Sequence, residues 1–137
     1  MGRRPFPLAA LVPEALRGVL LDFHWERERL WALDLPVAEV AVEELVWHLE
    51  LPFWAVGETP FAVTPREVAD DPERHAGQWE RTLSADLAMP IHAVERDGRL
   101  VVLDGVHRLL KAVVEGRGTI AVKTLRPGDL DRIALVD

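Results

Sequence analysis

The amino-acid sequence has no cysteine, no asparagine and no tyrosine, and only two of its 16 basic residues are lysines. The missing cysteine excludes disulfides, thiolate metal sites and cysteine nucleophiles together. A chain without cysteine fits a reducing compartment, so we expect a cytoplasmic protein. The bias toward arginine makes Lys111 and Lys123 unusual in this chain.

The sequence also lacks a long hydrophobic run. Residues 8–12 form a short apolar stretch behind two arginines, but Pro13 and Glu14 interrupt it. It is too short for an export signal and too short to span a bilayer, so we expect no membrane association. The 137 residues, 49% hydrophobic and 28% charged, predict one domain over residues 1–137. A net charge of -7 disfavours a nucleic-acid partner.

The first half of the chain gives weak secondary-structure signals. Apolar residues in 13–25 repeat at helical spacing and predict a helix. Residues 30–42 predict one or two short strands broken by Pro36, and residues 43–49 a short helix. Residues 51–64 contain two prolines, a glycine and several aromatics, which predicts a structured loop that could lie over a site.

From residue 64 the signals are stronger. Thr64, followed by Pro65 and Glu67, has the pattern of a capping box and predicts a helix start. A second helix is expected over residues 72–83. Residues 128–137 are expected to add a short helical turn.

The last third predicts a strand, a hairpin, a helix and another strand. Strands are predicted at residues 91–94 and 100–103, joined at Asp97-Gly98, a typical hairpin turn. Apolar residues from Val106 onward follow a helical period that Gly116 ends. Residues 120–125 predict the next strand. Together these elements predict an α+β fold with a small mixed sheet and packed helices.

One loop has the residues of an anion site. Asp104 and Gly105 separate a predicted strand from the helix behind it, so the first N–H groups of that helix face outward at the positive end of its dipole. His107, Arg108 and Lys111 are expected on the outer side of its first turns, where a guanidinium, an ammonium and an imidazole can meet a phosphate. Asp104 and His107 are the catalytic candidates.

Simpler interpretations of the same residues stay open. Asp104 can cap the helix, Gly105 can turn the chain, and the basic residues can solvate an exposed face. The five histidines have no metal-binding spacing, so no transition-metal site is predicted; Asp86 or Asp104 can serve a nucleotide's Mg²⁺. The aromatic residues Trp47, Phe53 and Trp54 can stack on a base, or they can pack in the core. Glu43 and Glu44 can act as general bases, or they can simply be favoured by the dipole at the start of a helix.

A longer motif surrounds this loop. It reads Met89-Pro90-Ile91, Asp97-Gly98-Arg99, Val102 to Leu109, Lys111-Ala112, Gly116 and Ile120-Ala121-Val122. The motif resembles the ParB N-terminal domain and sulfiredoxin superfamily, with the motif half at residues 84–125 and residues 1–83 unassigned.

The resemblance implies a nucleotide, ATP, ADP or CTP with Mg²⁺, whose phosphates lie on the loop before the central helix. The family's phosphate-contacting pair then corresponds to His107 and Arg108. Sulfiredoxins have cysteine where this chain has Val106, which excludes their chemistry. The downstream DNA-binding and dimerisation regions of the partition proteins are not recognised here, which disfavours chromosome partition.

These expectations leave three functions. The first is a nucleotide-binding protein with Asp104, Gly105, His107, Arg108 and Lys111 around the phosphates, acting as a phosphotransferase or nucleotide hydrolase. The second is a non-catalytic module that senses a nucleotide or binds a protein partner. The third, which the acidic charge disfavours, is a DNA-associated protein or nuclease.

Overall fold

The protein, described here by a computed structural model over residues 2–136, has an α+β fold built on a four-stranded mixed sheet. The sheet order is β1-β6-β4-β5, with β1 at Val37–Ala41, β4 at Ile91–Arg96, β5 at Arg99–Asp104 and β6 at Thr119–Leu125. In this sheet the β4–β6 pair is parallel, and the β1–β6 and β4–β5 pairs are antiparallel. A parallel pair needs a crossover, and helix α4 (Val106–Val114) supplies it.

The predicted hairpin and the elements after it are confirmed. Asp97 and Gly98 both have positive φ, at 50° and 81°, as a tight two-residue hairpin turn requires. α4 begins at Val106, and the chain leaves it through Gly116 at φ 71°. In this part of the chain, local patterns and packing agree.

One face of the sheet packs on α4, and we call it the helical face. Leu109 of α4 packs there against four residues of the sheet: Ile91, Ala93, Val102 and Val122. Further buried residues of this core come from short 3₁₀ turns at Val42–Glu44 and Val46–Glu50, a second sheet formed by β2 (Trp54–Val56) and β3 (Thr59–Val63), and helix α2 (Pro65–Asp70).

The opposite face is covered by the start and end of the chain, and we call it the N-terminal face. Val94, Val101 and Leu125 of the sheet pack there against a cluster that includes Leu16 and Phe23. Helices α1 (Arg27–Trp31) and α5 (Leu130–Ile133) belong to the same layer. Residues 1–83, which gave no alignable motif, therefore contribute to both layers: the part before Pro36 to the N-terminal face, and residues 42–70 to the helical face.

The helix predicted at residues 13–25 is wrong. Only Glu14–Leu16 is helical, as a 3₁₀ turn, and Phe23 and Trp25 form isolated bridges with other segments. Val19, Leu21 and Phe23 are buried while Asp22 is exposed, an alternation of period two. An irregular segment can bury the same apolar residues as an amphipathic helix, which is why their spacing wrongly predicted a helix.

Residues 30–42 contain one strand, β1 after Pro36, which agrees with the expected one or two strands, while Leu30 belongs to α1. The next two regions differ from expectation. Residues 43–49 form 3₁₀ turns. Residues 51–64 form the β2–β3 hairpin instead of a loop: Trp54 pairs with Val63 and Val56 with Thr59, and Pro60 lies within β3 outside these pairs.

The capping box at Thr64 is confirmed. The Thr64 hydroxyl accepts from the Glu67 N–H at 3.0 Å, and the Glu67 carboxylate accepts from the Thr64 N–H at 3.0 Å. The following helix, α3 (Ala76–Leu83), starts later than predicted. The tail forms the expected helical turn at Pro127–Asp129 and continues as α5, while Asp137 lies outside the described residues. No helix within residues 2–136 is long and apolar enough to cross a membrane.

Candidate functional site

An open cleft of about 380 Å³ lies where β5 ends and α4 begins. Its walls come from α1, the end of α3, the loop before β4 and the first turn of α4. Three arginines line it, and we call it the arginine cleft: Arg27, Arg81 and Arg108. Two acidic residues, Asp86 and Asp104, line it as well. It joins both layers of the fold, since α1 belongs to the N-terminal face and α4 to the helical face.

Gly105 is required at the base of this cleft by its conformation and by its neighbour. Its φ is 118°, a region that L side chains rarely adopt. A Cβ built there would lie 2.5 Å from Cγ2 of Ile91. The glycine therefore lets β5 turn into α4 while the backbone lies directly against β4. As the N-cap of α4 it offers no side chain to the free N–H groups of the first turn.

A β-bulge determines the direction of the Asp104 side chain. Ala93 pairs with Val102 but His92 pairs with Asp104, so Leu103 is an extra residue in β5. The extra residue shifts the inside–outside alternation of the strand. Asp104 consequently faces the N-terminal face and α1, and not the helical face that Val102 occupies.

Asp104 does not cap α4 but joins it to α1. Its Oδ2 atom accepts a hydrogen bond from Trp31 Nε1 at 2.9 Å. Its other ion-pair contacts are 3.5 Å from Oδ1 to Arg27 Nε and 3.7 Å from Oδ2 to Arg108 Nη2. The side chain is only 12% exposed, so this carboxylate is a partly buried link between two cations and an indole.

The three arginines differ in their exposure and in the contacts that their guanidinium groups make within the protein. Arg108 is 18% exposed and donates to the Pro90 carbonyl oxygen at 2.7 Å, which orients its guanidinium. Arg27 is more exposed; it pairs with Asp104 and lies near the ring of Trp31. Arg81 is exposed; its backbone carbonyl accepts from Ser84 Oγ, but its guanidinium forms no hydrogen bond or ion pair with any of residues 2–136. The cleft therefore has one oriented cation deep inside and two adaptable cations at its rim.

His107 is half-buried, whereas the sequence predicted it on the outer side of the helix. Its ring stacks on Trp54 with centroids 4.2 Å apart, and its Nε2 lies 2.8 Å from Gln78 Oε1. Burial, followed by the charges of Arg81, Arg108 and Arg27, lowers its pKa to about 4, although Asp104 opposes the shift. His107 is therefore neutral at pH 7, and it adds no positive charge to the site.

Lys111 supports a wall of the cleft. Its Nζ donates to the carbonyl oxygens of Leu83 and Ala85 at 2.9 and 2.6 Å. These carbonyls end α3 and begin the loop that carries Asp86. The ammonium group thus fixes the chain opposite α4, one turn away from the residues that line the cleft.

His92 lies beside Asp104 on the same face of the sheet. It is 5% exposed, and neither ring nitrogen has a hydrogen-bond partner among residues 2–136. Burial is the main cause that lowers its pKa; Lys123 and Arg108 add to the shift and Asp104 opposes it. The ring is therefore a neutral packing element next to the cleft.

The structure brings together most of the residues that the sequence singled out. Asp104, Gly105, His107 and Arg108 line one cleft, and Asp86 lines it too. Sequence reasoning missed the contributions of Arg27, Trp31 and Arg81. Arg81 lies in a predicted helix whose orientation was unknown, and α1 carries no recognisable motif. No local signal identified these three residues, because only tertiary packing brings α1 and α3 to the loop.

The aromatic residues around Pro52 are used in packing. Trp54 is 8% exposed beneath His107, and Trp47 lies against His48 with centroids 3.7 Å apart. Arg99 covers Trp47 at 3.8 Å. Glu43 and Glu44 are exposed in a 3₁₀ turn, and neither lines the arginine cleft. Within residues 2–136 no group of three or more acidic or histidine side chains is placed to hold a metal ion.

The fold and cleft define a small α+β protein with an arginine-lined cavity at a helix N-terminus. Comparison of the chain with protein-family models, with curated proteins and with solved structures gives no match. The geometry of the cleft is therefore the basis for its functional interpretation.

Proposed function

We propose that the arginine cleft binds the phosphate groups of a nucleotide. The observation that carries the proposal is the convergence of Arg27, Arg81 and Arg108 at the uncapped N-terminus of α4. Guanidinium groups bind phosphate oxygens through paired N–H donors, and the first N–H groups of a helix add further donors and a favourable dipole. Burial, followed by these three cations, lowers the pKa of His107, which is consistent with their position close to one another.

Each arginine has a distinct part in this proposal. Arg108, held by the Pro90 carbonyl, presents a fixed guanidinium to a phosphate above Gly105. Arg81 has no competing partner among the described residues and supplies a mobile contact. Arg27 leaves Asp104 or shares its charge when an anion enters, because their 3.5 Å separation is longer than a strong ionic hydrogen bond. Lys111 acts indirectly by holding the wall that carries Asp86.

A Mg²⁺ ion carried by the nucleotide would find one suitable carboxylate. Asp104 is already compensated by Arg27, Arg108 and Trp31, so it fits a metal ion poorly. Asp86 is exposed at the rim; its Oδ1 accepts from the Ala88 N–H at 2.9 Å. Mg²⁺ is often held by one or two carboxylates together with phosphates and water, so Asp86 fits that role.

We favour nucleotide binding without turnover over phosphotransfer or hydrolysis. The two catalytic candidates, Asp104 and His107, are both committed to contacts within the protein. A general base must reach the group that it deprotonates, and neither side chain is free to do so. A cytoplasmic location, where nucleotides are abundant, belongs to this proposal. So does the resemblance to the ParB and sulfiredoxin superfamily, supported by the strand-Asp-Gly-x-His-Arg-helix order of β5 and α4.

The first test is the thermal unfolding of the purified protein with ATP, ADP, CTP and GTP, each with and without Mg²⁺. A ligand that binds only the folded state raises the melting temperature. We expect at least one nucleotide to do so. Arg81→Gln should weaken its binding about tenfold, since a hydrogen bond to a charged group contributes about 1.5–3 kcal/mol. Arg74→Gln is the matched control, because Arg74 is exposed but does not line the cleft.

Three results are informative. A shift that Arg81→Gln reduces and Arg74→Gln preserves supports the site. An equal loss in both variants would point to general electrostatic attraction instead of this cleft. Release of inorganic phosphate that depends on Mg²⁺ and on Arg108 would mean that the protein is an enzyme and not a binding module.

A further inference from the structure

Two large apolar side chains remain exposed at the rim of the arginine cleft. Trp31 is 51% exposed and Met89 is 57% exposed, and both line the cavity. They come from distant parts of the chain, α1 and the loop before β4. An indole and a thioether beside three guanidinium groups form a surface with an apolar part and a cationic part. A nucleotide has the same division between its base and its phosphates.

The indole of Trp31 is held in place. Its Nε1 atom donates to Asp104 Oδ2 at 2.9 Å, and the guanidinium carbon of Arg27 lies 5.9 Å from its ring centroid. Asp104 is itself 12% exposed at the end of β5. An exposed aromatic ring normally loses rotational freedom when it binds a ligand, and a ring that the protein already orients loses less. About half of this residue's surface nevertheless stays exposed, and the residue lines the cleft.

We propose that Trp31, with Met89 beside it, is the platform on which the base of the nucleotide stacks. This inference rests on the proposed function and extends it: the ligand is an intact nucleotide, and not a free phosphate or a sugar phosphate. Stacking on an indole is possible for every base, so this platform discriminates nucleotides from simple anions and does not select one base. Asp104 is then a positioning residue, which orients the platform through Nε1 and does not react.

This proposal also gives a role to the contacts between α1 and Asp104 at the end of β5. The Trp31–Asp104 bond and the Arg27–Asp104 pair place the base platform and a phosphate contact on one short helix. The extra residue in β5 turns Asp104 toward that helix. A ligand in the cleft would therefore contact both layers of the fold at once.

Calorimetric titration of the full chain with ATP, CTP and inorganic tripolyphosphate tests the proposal. Tripolyphosphate carries the phosphate charge without a base. The wild-type protein should bind one of the nucleotides more tightly than tripolyphosphate. Trp31→Ala should weaken that nucleotide about tenfold or more, with tripolyphosphate unchanged. Trp31→Phe, which keeps an aromatic face but loses the Nε1 donor that Asp104 orients, should bind the nucleotide with an affinity between those of the wild type and Trp31→Ala.

Leu11→Ala is the matched control, since Leu11 is 57% exposed but does not line the cleft. Its affinities should equal those of the wild type. Equal binding of tripolyphosphate and nucleotides by the wild type, or unchanged nucleotide binding by Trp31→Ala, overturns the base platform while the phosphate site stands. A parallel loss of both ligands in Trp31→Ala also overturns it, because the residue then acts through Asp104. If neither kind of ligand binds the wild type, the phosphate site itself is wrong.

Discussion

His48 is a fully buried histidine that connects a 3₁₀ turn to the central sheet. Its Nδ1 lies 2.7 Å from the Leu45 carbonyl oxygen, and its Nε2 accepts from the Val102 N–H at 2.9 Å. This pair of contacts fits the neutral ring with the proton on Nδ1. Burial lowers its pKa to about 4; the Leu45 contact opposes the shift and Arg99 adds to it. A second proton would remove the acceptor that Val102 needs.

At the residue scale, we predict that acid destabilises the protein through His48. The unfolded chain takes up a proton near pH 6.5 and the folded chain only near pH 4, so this stabilisation is complete above pH 6.5 and is lost as the pH falls toward 4. Between pH 7.5 and pH 5 the loss from His48 should be about 2 kcal/mol. The free energy of unfolding in urea at the two pH values measures it.

His48→Gln keeps a donor and an acceptor but does not titrate, so its stability should depend less on pH. His75→Gln is the control, since His75 is partly exposed and its side chain makes no cap hydrogen bond. The pKa of His107 is lowered as that of His48 is, so the stability of both variants should still depend to some extent on pH. An equally steep fall in His48→Gln and in the wild type would contradict this role.

At the scale of elements, the β5–α4 junction should tolerate no side chain. Gly105→Ala combines a positive φ with a contact between the new Cβ and Ile91. We expect a loss of about 3 kcal/mol in the free energy of unfolding, from strain and overpacking together. Gly116→Ala is the matched control, because Gly116 has φ 71° but no heavy atom within 4 Å of the new Cβ. It should lose only about 1 kcal/mol.

Urea unfolding of both variants measures the difference. Equal losses would mean that the backbone conformation alone determines the cost, and that α4 can move away from β4. A larger loss for Gly105→Ala would show that the base of the arginine cleft is rigidly packed. Such rigidity would fix the first N–H groups of α4 in a position to meet a ligand.

At the scale of the whole molecule, the N-terminal segment should unfold together with the sheet. Leu16 has no exposed surface and packs in the cluster that contains Val94 and Leu125. Leu16→Ala should therefore lower the free energy of unfolding by about 3 kcal/mol, through lost burial and a cavity. Leu11→Ala, at a residue that is 57% exposed, should have no measurable effect.

Circular dichroism and tryptophan fluorescence should report one common unfolding transition in urea for both variants. A separate early transition in fluorescence that disappears when Trp25 and Trp31, the two tryptophans before Pro36, are replaced by phenylalanine would mean that this segment folds independently of the sheet. In that case α1 could leave the arginine cleft while the sheet and α4 stay folded.

Local signals in the sequence were sufficient for the second half of the fold. The capping box at Thr64, the Asp97-Gly98 turn and the apolar period of α4 each depend on residues close together in the chain. These features act through nearby backbone geometry and hydrogen bonds, which sequence reasoning can follow. They also placed Gly105 and Arg108 at the start of α4, beside the expected anion site.

Tertiary structure alone decided what surrounds that site. The bulge at Leu103 turns Asp104 toward α1, and packing on the N-terminal face brings Arg27 and Trp31 to a loop more than 70 residues away. The apolar spacing of residues 13–25 correctly indicated burial, but it predicted a helix where the chain is irregular, because the conformation of a buried segment depends on the whole core. The sequence by itself determined the turn, the glycine and the helix of the candidate site. The partners of its charges depend on long-range contacts, and no local pattern encodes them.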